Sequence, residues 1–244
     1  MGGAFRVVPS LLAVGFLAFG CCGCESTAQK SAALEKQAKH EKLALRGVSV
    51  ASENPSVKVL QSTVVHSSEG TAVVVSLRND SSHALRNAPI EITVRDAKGN
   101  VLFQNNQPGE DPSLTQVSLI APGAQTIWVD DQVQVAGIPS SAKALVGEAK
   151  QVAGKVPQMS VSATHSTSEA DGEAGTAGTV TNRSSVTQQH LVVYAVARKS
   201  GEIVAAGRAV LPEVAPRMSA PFQIYLIGDP TGAQIQMSAP ATTS

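Results

Sequence analysis

Four short blocks of this sequence occur twice, in the same order. Val75-Ser-Leu-Arg-Asn79-Asp-Ser-Ser82 returns as Gly178-Thr-Val-Thr-Asn182-Arg-Ser-Ser185. The run Ile90, Ile92, Val94 followed by Gly99 matches Val192, Tyr194, Val196 followed by Gly201. Ala121-Pro122 and Trp128 match Ala215-Pro216 and Phe222, and Ala142-Lys-Ala-Leu-Val146 matches Ala233-Gln-Ile-Gln-Met237. Separated blocks that keep one order indicate a duplicated unit, so the chain should hold two copies of one small domain.

Each copy reads as short strands. Val73, Val75 and Leu77 alternate with Ala72, Val74 and Ser76, and Ile90, Ile92 and Val94 with Glu91, Thr93 and Arg95. That period of two is the mark of a strand with one buried face. Asn79-Asp-Ser-Ser82, Ala97-Lys-Gly99-Asn100 and Ala121-Pro-Gly-Ala124 supply turns. Adding Val57–Val65, Val101–Phe103, Leu114–Ile120, Thr126–Val129 and Ala142–Val146 gives about seven strands, the number of an antiparallel immunoglobulin-like sandwich. The expected fold is all-β, with two tandem sandwiches over residues 54–150 and 155–240. Asn79, Asn182, Gly99 and Gly201 are then structural turn residues, and Trp128 and Phe222 core plugs at matching positions. Gly147 to Pro157 reads as the joint, Thr164 to Gly178 as a loop or hairpin tip, and Ala239 to Ser244 as a fraying end.

The N-terminus has a different character. Arg6 is the only charge before Glu25, and Leu11 to Phe19 is an apolar core, the form of an export signal over residues 1–20. All three cysteines fall in Cys21-Cys22-Gly23-Cys24, so neither domain can hold a disulfide. Leu17-Ala18-Phe19-Gly20-Cys21 resembles a bacterial lipobox, which implies lipid attachment at Cys21; Cys24, which also follows a glycine, is the alternative acceptor. Residues 21–53 then form the lipid anchor and a tether. Glu25 to Arg46 has no Pro or Gly, and Ser31 with Glu35 and Glu35 with Lys39 have helix-supporting spacings.

The domain pattern resembles the FxLyD family of small bacterial extracytoplasmic domains. The shared features are a strand leading into an Asn-Xaa-Ser turn, an aromatic or apolar strand ending in an Asp-Xaa-Xaa-Gly turn, a Pro-Gly turn, and a final apolar strand. Gly178 to Asn182 and Ala220 to Ile224 carry the likeness best. The name-giving stretch is replaced by Tyr194 to Arg198 and by Ile92 to Asp96, of which only Asp96 keeps the acid before the turn. The resemblance implies an exported, often lipid-anchored protein and no catalysis.

Nothing in the residues supplies a catalytic set. The five histidines form no His-Glu-Xaa-Xaa-His, no Gly-Xaa-Ser-Xaa-Gly is present, and Gly172, Gly175 and Gly178 lack the Lys-Ser/Thr of a phosphate loop. Lys+Arg and Asp+Glu are 19 each and aromatic residues only 3%, which excludes a strongly basic or base-stacking nucleic-acid binder. Two acidic pairs, Glu110-Asp111 and Asp130-Asp131, are candidate Ca²⁺ ligands if they converge. The reading is a non-enzymatic adaptor held by a lipid anchor on the extracytoplasmic face of the cell membrane, with a protein partner in the envelope and no cofactor. A binder of a small ligand or Ca²⁺ is the alternative.

Overall fold

The structure, a computed structural model, describes residues 47–168 and 174–242. The signal segment, the anchor cysteines and the helical tether lie outside the described residues. The stretch 47–53, assigned above to the tether, is not helical. It lies along the first sandwich: Val50 N donates to Glu91 Oε2 at 2.9 Å and Glu53 bridges to Gly147.

The protein is an all-β chain of two antiparallel sandwiches. In the first, β1 (Val57–Ser67), β2 (Gly70–Asn79) and β6 (Gln125–Asp130) form one sheet in the order β1-β2-β6. The other sheet is built on β3 (Ala84–Arg95), a long strand with partners on both edges. β5 (Gln116–Ile120) and β8 (Lys150–Val152) flank its first half, and β4 (Val101–Gln104) and β7 (Ser141–Val146) its second. The second sandwich repeats this order with β9 (Met159–Ser168), β10 (Ala174–Asn182) and β13 (Ser219–Tyr225) in one sheet, β10 central. β14 (Ile227–Gly228), β12 (Glu202–Val214), β11 (Gln188–Lys199) and β15 (Gln234–Ser238) form the other, in that order. β1 thus corresponds to β9, β2 to β10, β3 to β11, β4 with β5 to β12, β6 to β13, and β7 to β15.

The repeat is closest at the two asparagines. Asn79 and Asn182 are both fully buried. Asn79 Nδ2 donates to the carbonyls of His83, Ile120 and Ala121 at 2.8, 3.1 and 3.3 Å, and Asn182 Nδ2 to those of Val186, Val214 and Ala215 at 2.8, 3.0 and 3.2 Å. Each Oδ1 accepts from the backbone N–H and the hydroxyl of the serine two residues on, Ser81 or Ser184. One amide thus closes its own turn and ties it to a strand end of the facing sheet, which is why the Asn-Xaa-Ser motif appears in both copies. The Pro turns repeat as well: Ala124 N donates to Ala121 O and Met218 N to Ala215 O, with Gly123 and Arg217 at φ +64° and +63°.

Four expectations need correction. Val192, Tyr194 and Val196 do not correspond to Ile90, Ile92 and Val94. The core of the second sandwich receives Leu191, Val193, Ala195 and Ala197, while Val192, Tyr194 and Val196 join the core of the first. A one-residue slip in register flips every side chain to the other face, so the alignment error exchanged the two faces of β11. Likewise β2 is not half-buried. Ala72 to Val75 are all fully buried, because this strand also has sheet on both sides. Thr164 to Gly178 is mostly strand, belonging to β9 and β10; residues 169–173 lie outside the described set. The end of the chain is tied down as far as residue 242: Ala241 is buried, Thr242 N donates to Gln188 Oε1 at 2.7 Å, and Gln189 N donates to Thr242 Oγ1 at 3.1 Å.

The two sandwiches share a junction. Val65 and Ala72 pair across β1 and β2, and Val74 pairs Val129 of β6, so these four residues share one face of that sheet. This face meets the second sandwich: a Cβ placed on Gly228 would come within 2.8 Å of Val65 Cγ1. Ile203 and Ala206 of β12 join the same apolar cluster. Burial of this apolar area, at about 25 cal/mol per Å², holds the two halves as one unit.

Candidate functional site

The second sandwich runs from its hairpin turn to its Pro turn in one strand, β12. The first breaks the equivalent stretch into β4 and β5 and inserts a loop and a one-turn helix, α1 (Pro112–Thr115). Leu114, expected in a strand, sits in this helix. The break would leave the facing edge of β3 without backbone partners. Asn105, fully buried, supplies them: Ile92 N donates to its Oδ1 at 2.7 Å, and its Nδ2 donates to Ile90 O and Leu114 O at 3.0 and 2.8 Å. A side-chain amide here replaces a rung of the ladder and fixes the insertion against the sheet.

The insertion carries one acidic pair and β6 ends in the other. Asp111 caps α1, accepting from Ser113 N at 2.7 Å and from the Ser113 hydroxyl. Burial alone would raise its pKa, but the Ser113 hydrogen bonds outweigh that and hold it below the usual carboxylate value. Asp131 is taken by Arg208 of β12. Arg208 Nε donates to Asp131 Oδ1 at 2.9 Å, Arg208 N to Oδ2 at 3.1 Å, and Arg208 Nη1 to Ser113 Oγ at 2.6 Å. The Arg208 side chain is only 3% exposed and that of Asp131 18%. Asp111, Ser113, Arg208 and Asp131 thus form one polar clasp joining the insertion, β6 and the second sandwich. On the other face of β12, Gly207 lets β13 come close: a Cβ there would lie 2.0 Å from Tyr225 O.

Asp130 shares its sheet face with Val73 and Trp128's partner Val75, not with Asp131. It is 1% exposed, and burial raises its pKa from 3.8 to about 7 despite the hydrogen bond from Gln132 N. Burial also raises Glu110, one of whose carboxylate oxygens, Oε2, is enclosed without a hydrogen-bond partner. Both line a hollow of about 420 Å³ together with Gln132 and Gln134. The acidic pairs therefore do lie near one another, but Asp111, Asp130 and Asp131 each already accept from a protein donor. Among the described residues, no three His, Cys, Asp or Glu side chains are grouped so as to hold a metal ion.

Trp128 is fully buried, and its Nε1 donates to Ser113 O at 3.0 Å. Phe222 occupies the matching place in β13, opposite Gly178, where a Cβ would come within 2.9 Å of the ring. Gly99 and Gly201 sit in their hairpin turns at φ +86° and +90°, a backbone region that glycine enters without steric cost. Cys21 and Cys24 lie outside the described residues.

Sequence reasoning missed Arg208 and Asn105. Arg208 had a visible signal, a lone cation inside the apolar run Ile203 to Leu211. It also missed a crevice of about 300 Å³ between the insertion and β11, floored by Val192 and Tyr194.

Comparison with known proteins adds little. No family model matches, and no curated protein matches. Among solved structures, the exo-chitosanase CsxA of Amycolatopsis orientalis, in complex with PNP-beta-D-glucosamine, aligns at 16% identity and a TM-score of 0.27, over 74% of this chain and 25% of the enzyme. The same enzyme in another crystal structure gives 15% identity and the same TM-score over 26% of its length. The alignment spans about a quarter of that protein, and a likeness of this size carries no argument about function.

Proposed function

We propose that this protein is a lipid-anchored, extracytoplasmic lipoprotein of the cell envelope with tandem FxLyD-like domains, acting as a non-enzymatic adaptor for a protein partner. The observation that supports it is the placement of all three cysteines at the end of the uncharged N-terminal run. A diacylglyceryl group and an N-acyl chain on Cys21 would hold the chain stably, at about 0.8 kcal/mol per buried methylene. A stalk ahead of two sandwiches clasped by Arg208 and Asp131 suits a part that must present a stiff surface at a set distance from a bilayer.

The test replaces Cys21 and Cys24 together by Ser in cells fed labelled palmitate. Loss of label, with release of the protein or retention of an uncleaved precursor, is the expected result. Unchanged incorporation overturns the anchor. The adaptor role is tested by photo-crosslinking in intact envelopes. One reproducible protein adduct that depends on the anchor supports it, and no adduct from either sandwich overturns it.

A further inference from the structure

We propose that the crevice between the insertion and β11 is a binding site for an uncharged molecule rich in hydroxyl and amide groups, the size of one or two sugar rings. The site is separate from the anchor and from the protein-partner role.

The first observation is Tyr194. It is 3% exposed and lines the crevice, and its hydroxyl, with no hydrogen-bond partner among the described residues, is open to the crevice and not enclosed by protein. A buried tyrosine normally finds a partner for its O–H, because an unpaired polar group in a dry environment is costly. Burial also pushes its pKa upward, so the group is a neutral phenol, able both to donate and to accept. Its position on β11 gives it no structural reason to be polar, since Val192 and Val196 on the same face are plain hydrophobes.

The second is the wall. Asn87 and His190 occupy corresponding places in β3 and β11, and both line the crevice. Each is a non-glycine residue in the left-handed region, at φ +50° and +49°, and each interrupts the pairing of its strand while the register stays the same on either side. A non-glycine residue in that region is uncommon, and such backbone conformations cluster at binding and active sites. With Gln116 of β5 they place two carboxamides and an imidazole around the opening, and none of these three side chains hydrogen-bonds to the described protein.

The ligand chemistry follows from these groups. Carboxamides and a phenol both donate and accept, which matches hydroxyl and amide groups, and they offer no counter-charge to an ionic ligand. Arg208 is paired with Asp131, and the Asp111 carboxylate on the crevice wall is held by the neutral Ser113. The apolar floor of Val192 and the Tyr194 ring suits the C–H face of a sugar ring. A volume of about 300 Å³ lies at the lower end for small-molecule sites.

The test is calorimetric titration of the full-length protein in detergent with N-acetylglucosamine, with cationic glucosamine in parallel. Expected is saturable binding of the neutral sugar, at least tenfold tighter than glucosamine. Tyr194→Phe, which removes one oxygen, should weaken it about tenfold without moving the melting temperature. Gln116→Ala, on a side chain with no protein partner, should act alike and serves if the tyrosine variant folds poorly. The single tryptophan, bonded to the Ser113 carbonyl at the edge of the site, gives an independent fluorescence signal. No saturable binding at tens of millimolar sugar would mean that only water occupies the crevice. That result, equal binding of glucosamine, or binding unchanged in Gln116→Ala would overturn the proposal.

Discussion

Arg208 and Asp131 meet across 77 positions of sequence, with Nε and Oδ1 2.9 Å apart and both largely withdrawn from water. One belongs to the second sandwich and the other to the end of β6 in the first. Their contact, with the hydrogen bond from Arg208 Nη1 to Ser113 Oγ, is a polar link beside the apolar junction of the sandwiches and ties the insertion to the second sandwich.

Removing one member of this pair should cost more than removing its charge partner cleverly. Asp131→Ala leaves a buried guanidinium without its acceptor and should destabilise the protein by about 3–5 kcal/mol. Arg208→Met, which replaces the cation by an apolar chain of similar length, should cost less than half as much. Urea unfolding of both variants measures the difference; equal losses would mean that the pair acts through packing alone.

Asn79→Ala and Asn182→Ala should each destabilise by about 2–4 kcal/mol, since each leaves buried carbonyls at two strand ends without donors. Asn→Asp at either position should be no better, because a carboxylate cannot donate to those carbonyls. The serine partners offer the control: Ser81→Ala removes one hydrogen bond to Oδ1 and should cost about 1 kcal/mol. Denaturant midpoints of the variants decide this.

Asp130 makes stability depend on pH in the direction opposite to a salt-bridged acid. Its pKa is about 7 in the folded chain against an ordinary 3.8, so between these values the unfolded state ionises first and stability falls as pH rises. Below pH 4 both states are protonated and the penalty is absent; above pH 7 it is constant. Asp130→Asn keeps an acceptor for Gln132 N and should gain about 2–4 kcal/mol over the native chain at pH 8, with no gain at pH 4. Stability curves at the two pH values, with a flat difference between them, would contradict this.

Millimolar Ca²⁺ should leave the melting temperature unchanged, in the native protein and in Asp130→Asn with Asp131→Asn alike. An ion bound only by the folded state at a hundredfold excess over Kd would add about 2.7 kcal/mol, a shift of several degrees. Asp131 and Asp111 are already satisfied by Arg208 and Ser113, and binding would have to break those bonds.

Much of each sandwich was legible because strands and turns are local. The stretches read as strands overlap each of β1 to β7, and the asparagine turns announced themselves by repeating. Alternation marks only parts of β2 and β3, however, and leaves out the paired residues Leu85 to Pro89. The acidic pairs were also visible, but their roles were not. Asp111 and Asp131 look alike in sequence to Asp130, and only the neighbours brought by folding make one a helix cap, one an ion-pair partner and one a buried acid. Tyr194 was visible as the odd aromatic residue in an apolar strand, but was assigned to the wrong face.

Sequence alone determined that the chain is a duplicated set of antiparallel strands, because alternation reports which residues share a face and a repeated turn motif reports where strands end. The tertiary structure decided what each face meets. Runs such as Ala72 to Val75 and Leu191 to Ala197 are apolar at every position, so no alternation remains to orient them, and only the stacking of one sandwich on the other assigns Val193 to one core and Tyr194 to the junction. The Arg208–Asp131 clasp and the crevice beside it exist only in that stacked arrangement, since they are made by residues that no local pattern links.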